Sequence, residues 1–172
     1  MNMGEHGAAI VALPWLAVAV FALVWGLEWA AGRGSNQAER YLVALYGLGP
    51  VQILALLLLA ASATIHLALA PTHAGEPVTA VLFVLDGIVE LTLCLAAPLI
   101  RNWRAAAIGL LAANLFAYAL YLLLGLETAD AVGLATKVVE FGAIALLALT
   151  ALRLGATLNR GPKHTTEIKE VF

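Results

Sequence analysis

Six ionisable side chains lie within or at the edge of long apolar stretches: Glu28, His66, Asp86, Glu90, Lys137 and Glu140. Asn114 adds an uncharged polar group of the same kind. At the middle of a bilayer each charged group would cost roughly 2.5–3.5 kcal/mol on insertion scales. Asp86 and Glu90 stand four apart, and Lys137 and Glu140 three apart. On a helix each of these pairs projects from one side. Such groups are expected to face the interior of a helix bundle and pair with one another. Glu28 stands alone between Trp25 and Trp29, close to Arg33, and reads as an anion at the end of its apolar run.

A histidine pattern runs into the same region: H-x6-H-x2-E, made by His66, His73 and Glu76. Pro71 breaks the helix between the histidines, so the following segment can fold back over a site. Two imidazoles and a carboxylate suit zinc or copper. Glu90 or Glu140 could complete the shell, or hold a ligating ring by a hydrogen bond. The expected ligand set is therefore His66, His73, Glu76, Glu90 and Glu140. Asp86, Asn114 and Lys137 are assigned to charge balance or proton relay. Plainer roles stay open: His66 reaching to the membrane interface, His73 and Glu76 simply solvated, Lys137 and Glu140 an ion pair that fixes helix register. A weaker reading makes His66 a single axial ligand for haem or chlorophyll, with Ser62 and Ala63 leaving room beside the ring. Met1, Met3 and His6 could touch a soft metal at the N-terminus. There is no P-loop, G-x-S-x-G, H-E-x-x-H or C-x-x-C, so nothing in the chain points to an enzyme.

The elements that must position these residues follow from composition. Of 172 residues, 63% are hydrophobic and only 12% charged. Soluble domains are nearer half apolar and a quarter charged. A chain of this size has no aqueous core large enough for that apolar surface, and its net charge of −2 offers no basic face for nucleic acid. An all-α integral membrane protein is expected, a single bundle over residues 1–158 followed by a polar cytoplasmic tail, 159–172. Stretches of about 20 apolar residues mark five transmembrane helices, at about 8–31, 50–70, 78–100, 103–126 and 132–152. Helices satisfy the backbone in lipid at these lengths. The first stretch lacks a basic leader and is read as a retained helix rather than a signal peptide. Residues 37–49, QAERYLVALYGLG, mix charge, tyrosine and leucine, and predict a short interfacial helix. The alternative is a two-turn extension of the second span. Trp15, Trp25, Trp29 and Trp103 fall near span ends, as interfacial aromatics do. The single cysteine, Cys94, lies in an apolar run and has no partner for an internal disulfide.

Eight of the nine cations, all but Lys137, fall on one side of this arrangement. That places the N-terminus outside and the C-terminus in the cytoplasm, with the protein in the inner (plasma) membrane. His66, Asp86, Glu90, Lys137 and Glu140 then gather in the outer half of the bilayer, with Asn114 just below.

The stretch from His66 to about Leu147 resembles a group of small, uncharacterised bacterial multi-span membrane proteins. The shared residues here are His66, Pro71, His73, Glu76 and Phe83, with Glu140 in a later acidic span. The resemblance covers about half the chain and implies no particular activity. Two functional expectations follow from the residues themselves. The first is an outward-facing His/carboxylate site that binds a transition metal or relays protons or ions. The second is a non-catalytic accessory subunit of a larger membrane complex or homo-oligomer, its small residues (Gly109, Ala112, Ala113, Gly142, Ala143) permitting close helix contact. Five spans without an internal repeat argue against a self-contained carrier.

Overall fold

Long apolar runs between Gly- and Pro-containing breaks wind into helices, because a helix satisfies its own backbone wherever no water reaches. The computed structural model describes residues 3–126 and 130–158, with side chains over 11–126 and 130–152. The helices are α1 (Met3–Gly32), α2 (Asn36–Tyr46), α3 (Pro50–Leu69), α4 (Pro77–Ala96), α5 (Trp103–Leu123) and α6 (Ala131–Leu158). A short 3-10 turn, Ala70–His73, prolongs α3. No strand occurs among the described residues. Met1, Met3 and His6, Glu127 in the last connection, and the tail 159–172 lie outside the described side chains.

Five of these helices are long and apolar enough to cross a membrane. The 20 residues of α3 rise about 30 Å, the thickness of a hydrocarbon core. Pro50 and Pro77 open α3 and α4 at the first helical position, where a missing N–H costs nothing. Two spans are shorter than the hydropathy pattern suggests. Helix α4 stops at Ala96 rather than near Ile100, because Pro98 has no N–H to donate back to the helix. Helix α5 stops at Leu123 rather than Leu126, because Gly125 turns into the left-handed region at φ 66°.

The segment after α1 forms a separate helix rather than a prolongation of α3. Ser35 caps α2 by accepting from the Ala38 amide, and Gly47, Leu48 and Gly49 break the chain before Pro50. Eleven residues rise only about 16 Å, too little to span a bilayer. Two tyrosines fasten α2 to its neighbours. Tyr41 donates to the Leu95 carbonyl of α4 at 2.8 Å, and Tyr46 donates to Glu28 of α1 at 2.6 Å. The Glu28 hydrogen bond holds the Tyr46 hydroxyl above its usual pKa. Arg33 lies over the Trp29 ring, 3.8 Å from its centre. The interfacial anion read from sequence is thus a helix-to-helix fastener.

Helix α3 is the hub, packed against α1, α4 and α6. The apolar core lies at the end of the bundle near Arg101, where Ala55 and Leu59 of α3 meet Trp103 and Leu111 of α5 and Ala143 and Leu147 of α6. Alanines at these contacts let the backbones approach. Trp103 is 4% exposed and belongs to this core, not to an interfacial belt, whereas Trp15, Trp25 and Trp29 are exposed. The Cys94 thiol is half-buried and lies 3.6 Å from the Leu56 carbonyl oxygen. Phe21, Phe116, Leu123, Phe141 and Leu152 point outward. Water would strip such a surface into aggregates; hydrocarbon suits it.

Candidate functional site

One turn beyond the apolar core, towards His73, the interior becomes polar. Ser62 and His66 stand four apart on α3, and so share a face. Asp86 and Glu90 face them from α4, Lys137 and Glu140 come from α6, and Asn114 comes from α5. Four helices therefore converge on one group. The sequence spacing predicts this convergence for each of the charged residues and for Asn114. Ser62, Glu90 and Glu140 are 0% exposed and His66 3%.

His66 is at the centre. Its Nδ1 lies 2.8 Å from Asp86 Oδ2 and 3.5 Å from Glu90 Oε2, and its Nε2 lies 3.6 Å from Glu140 Oε1. The ring is wedged between the α4 acids on one edge and the α6 acid on the other. The Asp86 approach is short but off the direction of a ring N–H, so it is an ionic contact rather than an aligned hydrogen bond.

Fixed donors hold the acids. Asn114 Nδ2 lies 2.9 Å from both Asp86 oxygens and 3.1 Å from Glu90 Oε1. Ser62 Oγ lies 3.1 Å from Glu90 Oε1 and 3.5 Å from Glu140 Oε1. The Lys137 ammonium donates to Glu140 Oε1 at 2.6 Å and stands 5.4 Å from the centre of the Tyr118 ring. After these bonds Glu90 Oε2 and Glu140 Oε2 remain buried without a hydrogen-bond donor. Buried carboxylate oxygens are rarely left so.

Gly87 sets the distance between the two helices that carry most of this group. A Cβ there would stand 2.9 Å from the Ala63 carbonyl oxygen and 2.6 Å from Leu67 Cγ. The side chain could shift, but the carbonyl belongs to the α3 backbone. Gly87→Ala is expected to force α3 and α4 apart at the level of His66 and to cost about 1–3 kcal/mol. The readout is a lower melting temperature in detergent, together with weaker retention of any ion held there.

The structure places His66, Glu90 and Glu140 so that each offers a ligand-type atom, all within 4.8 Å of one another. Asp86 adjoins them through His66. It does not bring His73 and Glu76 into the group. His73 Nδ1 lies 3.7 Å from Glu76 Oε2, and the Glu76 side chain is 70% exposed. Two helical turns separate His73 from His66, and the Phe83 ring packs on both imidazoles, with centroids 5.0 and 5.6 Å away.

Three contributors had weak signals in the sequence. Ser62 stood there only as a small neighbour of His66, yet its spacing of four already put a hydroxyl on the same face. Gly87 is the one glycine between the acids Asp86 and Glu90, which marks a close backbone approach. Phe83 is three residues before Asp86 and seven before Glu90, on their side of α4.

The chemistry of the donor set fits a cation. Donors about 2.0–2.2 Å from a zinc ion stand a little over 3 Å apart. The Glu90 approach of 3.5 Å is to His66 Nδ1 and the Glu140 approach of 3.6 Å is to Nε2, so an ion on one ring nitrogen would need the carboxylate of the opposite edge to swing towards it; taken one atom per residue, the three ligand-type atoms lie within 4.8 Å of one another. Three carboxylates, those of Asp86, Glu90 and Glu140, gather here against a single permanent cation, Lys137. No known protein family, curated protein or solved structure matches this chain.

Proposed function

We propose that this protein is a multi-pass membrane protein that holds a divalent transition metal, zinc or copper, inside its helix bundle. His66, Glu90 and Glu140 are its ligands, with Asp86 orienting His66 and Lys137 offsetting part of the negative charge. The observation that carries this reading is the pair of donorless carboxylate oxygens, Glu90 Oε2 and Glu140 Oε2, buried beside His66. An ion would satisfy both. A bound divalent cation would supply the two positive charges that the three carboxylates and Lys137 leave wanting. The fall of most cations at the Arg101 end supports a bundle whose His73 end faces outward from the plasma membrane. The amphipathic α2 then lies along the cytoplasmic interface.

The alternative is an accessory subunit whose buried charges do no more than fix helix register. Buried carboxylate oxygens left without hydrogen-bond donors speak against it, because a purely structural network is expected to be satisfied. Elemental analysis decides between the two. Protein purified in mild detergent, without chelators or a metal-affinity column, is expected to carry about one zinc or copper per chain, lost in His66→Ala. Metal-free wild-type protein that also fails to take up either ion on titration would overturn the metal reading.

A further inference from the structure

The faces of α3 and α4 that meet at the polar group continue outward as a ladder. On α3 and its 3-10 extension the residues are Ser62, His66 and His73; on α4 they are Glu90, Asp86 and Phe83, with Glu76 just before the helix begins. The rungs are Ser62 to Glu90, His66 to Asp86, Phe83 to both histidines, and His73 to Glu76. Phe83 is thus an apolar rung between a buried polar group and a polar pair at the surface. The His73 side chain is 24% exposed and that of Glu76 70%, against 4% for His66.

We propose that His73 and Glu76 form an outer docking pair for a divalent cation, and that Phe83 is the gate between that pair and His66. The inference rests on the metal reading of the buried site and adds the route to it. An imidazole nitrogen and a carboxylate oxygen 3.7 Å apart can share one hydrated ion while the exposed Glu76 keeps its remaining water. The Phe83 ring touches both imidazoles, so an ion passing from the outer pair to His66 has to move past it. A phenyl side chain stacked on one imidazole and tilted against the other has two χ angles about which to swing. Once it moves, the next donors inward are His66, Asp86 and Glu90. When it returns, it shuts water out of a site where low dielectric strengthens every ionic contact. The same ring explains why the two histidines do not share one ion. They are near enough for a common aromatic neighbour, yet that neighbour stands between them.

A gate changes how fast an ion arrives and leaves; a ligand changes how many ions stay. Stopped-flow mixing of zinc with the full-length protein in detergent, read by a competing fluorescent chelator, separates these. Phe83→Ala is expected to raise association and dissociation rates together, each by about tenfold, with Kd changed by less than about threefold. His73→Ala combined with Glu76→Gln is expected to slow association about fivefold, with one zinc per chain still bound at saturation. Phe83→Leu keeps an apolar side chain in place if the alanine variant misfolds, and is expected to speed exchange by a smaller factor. Wild-type rates in both Phe83 variants would overturn the gate. Loss of zinc stoichiometry in the His73/Glu76 variant would make that pair resident ligands and overturn the docking role. Absence of any zinc binding by the wild-type protein is a different result, because it removes the buried metal site itself and the gate with it.

Discussion

Glu90→Gln is expected to do two opposite things: to weaken zinc retention by at least about 100-fold and to raise the stability of the metal-free protein by about 1–3 kcal/mol. Loss of retention follows from removing an anionic ligand whose free oxygen faces His66 at 3.5 Å. The gain in stability follows from the surroundings. Glu90 is fully buried, and its partners are neutral or shared: the Ser62 hydroxyl, the Asn114 amide and an imidazole that Asp86 holds more closely. No lysine or arginine ion pair reaches it among the described residues. A glutamine of the same shape keeps an acceptor for Ser62 and Asn114, and it removes one of three like charges crowded round His66. Active and binding sites commonly hold such unfavourable charge, and removing it trades function for stability. Elemental analysis of protein purified without chelators reads the first effect, and a thermal melt after chelator treatment reads the second. A lower melting temperature with metal content unchanged would assign Glu90 to architecture and end its role as a ligand.

How far such a site can be read from sequence depends on which distances lie within one helix. The pairs Asp86/Glu90 and Lys137/Glu140 are legible because both members ride on the same rigid element, and helical spacing fixes their common face. The five long apolar helices are legible because length and apolar composition are properties of the sequence itself. Their ends are less so: Pro98 and Gly125 cut α4 and α5 short, and a hydropathy run does not register either. Distances between helices are another matter. Nothing local in the chain says that Gly87 lets α4 approach the Ala63 carbonyl. Nor does it say that the Phe83 ring fills the space between His66 and His73. The motif H-x6-H-x2-E invites a single site because its members are close in sequence. Seven residues along a helix and its 3-10 extension are two turns, about 10 Å, and in the fold the Phe83 ring packs against both imidazoles. The acids that do meet at His66 come from α4 and α6, 24 and 74 residues further along the chain.

Lys137→Met is the mirror image of Glu90→Gln and separates the same readings from the other side. The ammonium donates to Glu140 Oε1 at 2.6 Å, with only 16% of its side chain exposed and Glu140 wholly buried. Removing it leaves three carboxylates with no permanent cation. Breaking one side of a buried pair costs about 3–5 kcal/mol, because the remaining charge stays in low dielectric without compensation. The metal-free variant is therefore expected to melt well below the wild type, or to be recovered poorly. Methionine keeps an unbranched apolar stem of nearly the same length, so the loss is chiefly one of charge, including the ammonium over the Tyr118 ring. The direction of the zinc effect is the discriminating part. With Lys137 gone, Glu140 Oε1 is released from its strongest donor and the group carries one more negative charge. Zinc should bind about tenfold or more tightly than to the wild type, and saturating zinc should restore much of the lost melting temperature by mass action. Because ligands must be deprotonated to bind, that rescue should fade on acidification. A structural ion pair predicts the first loss but no rescue, since an ion without a site has nothing to replace. Destabilisation that zinc repairs is what a lysine standing in for part of a missing cation must produce.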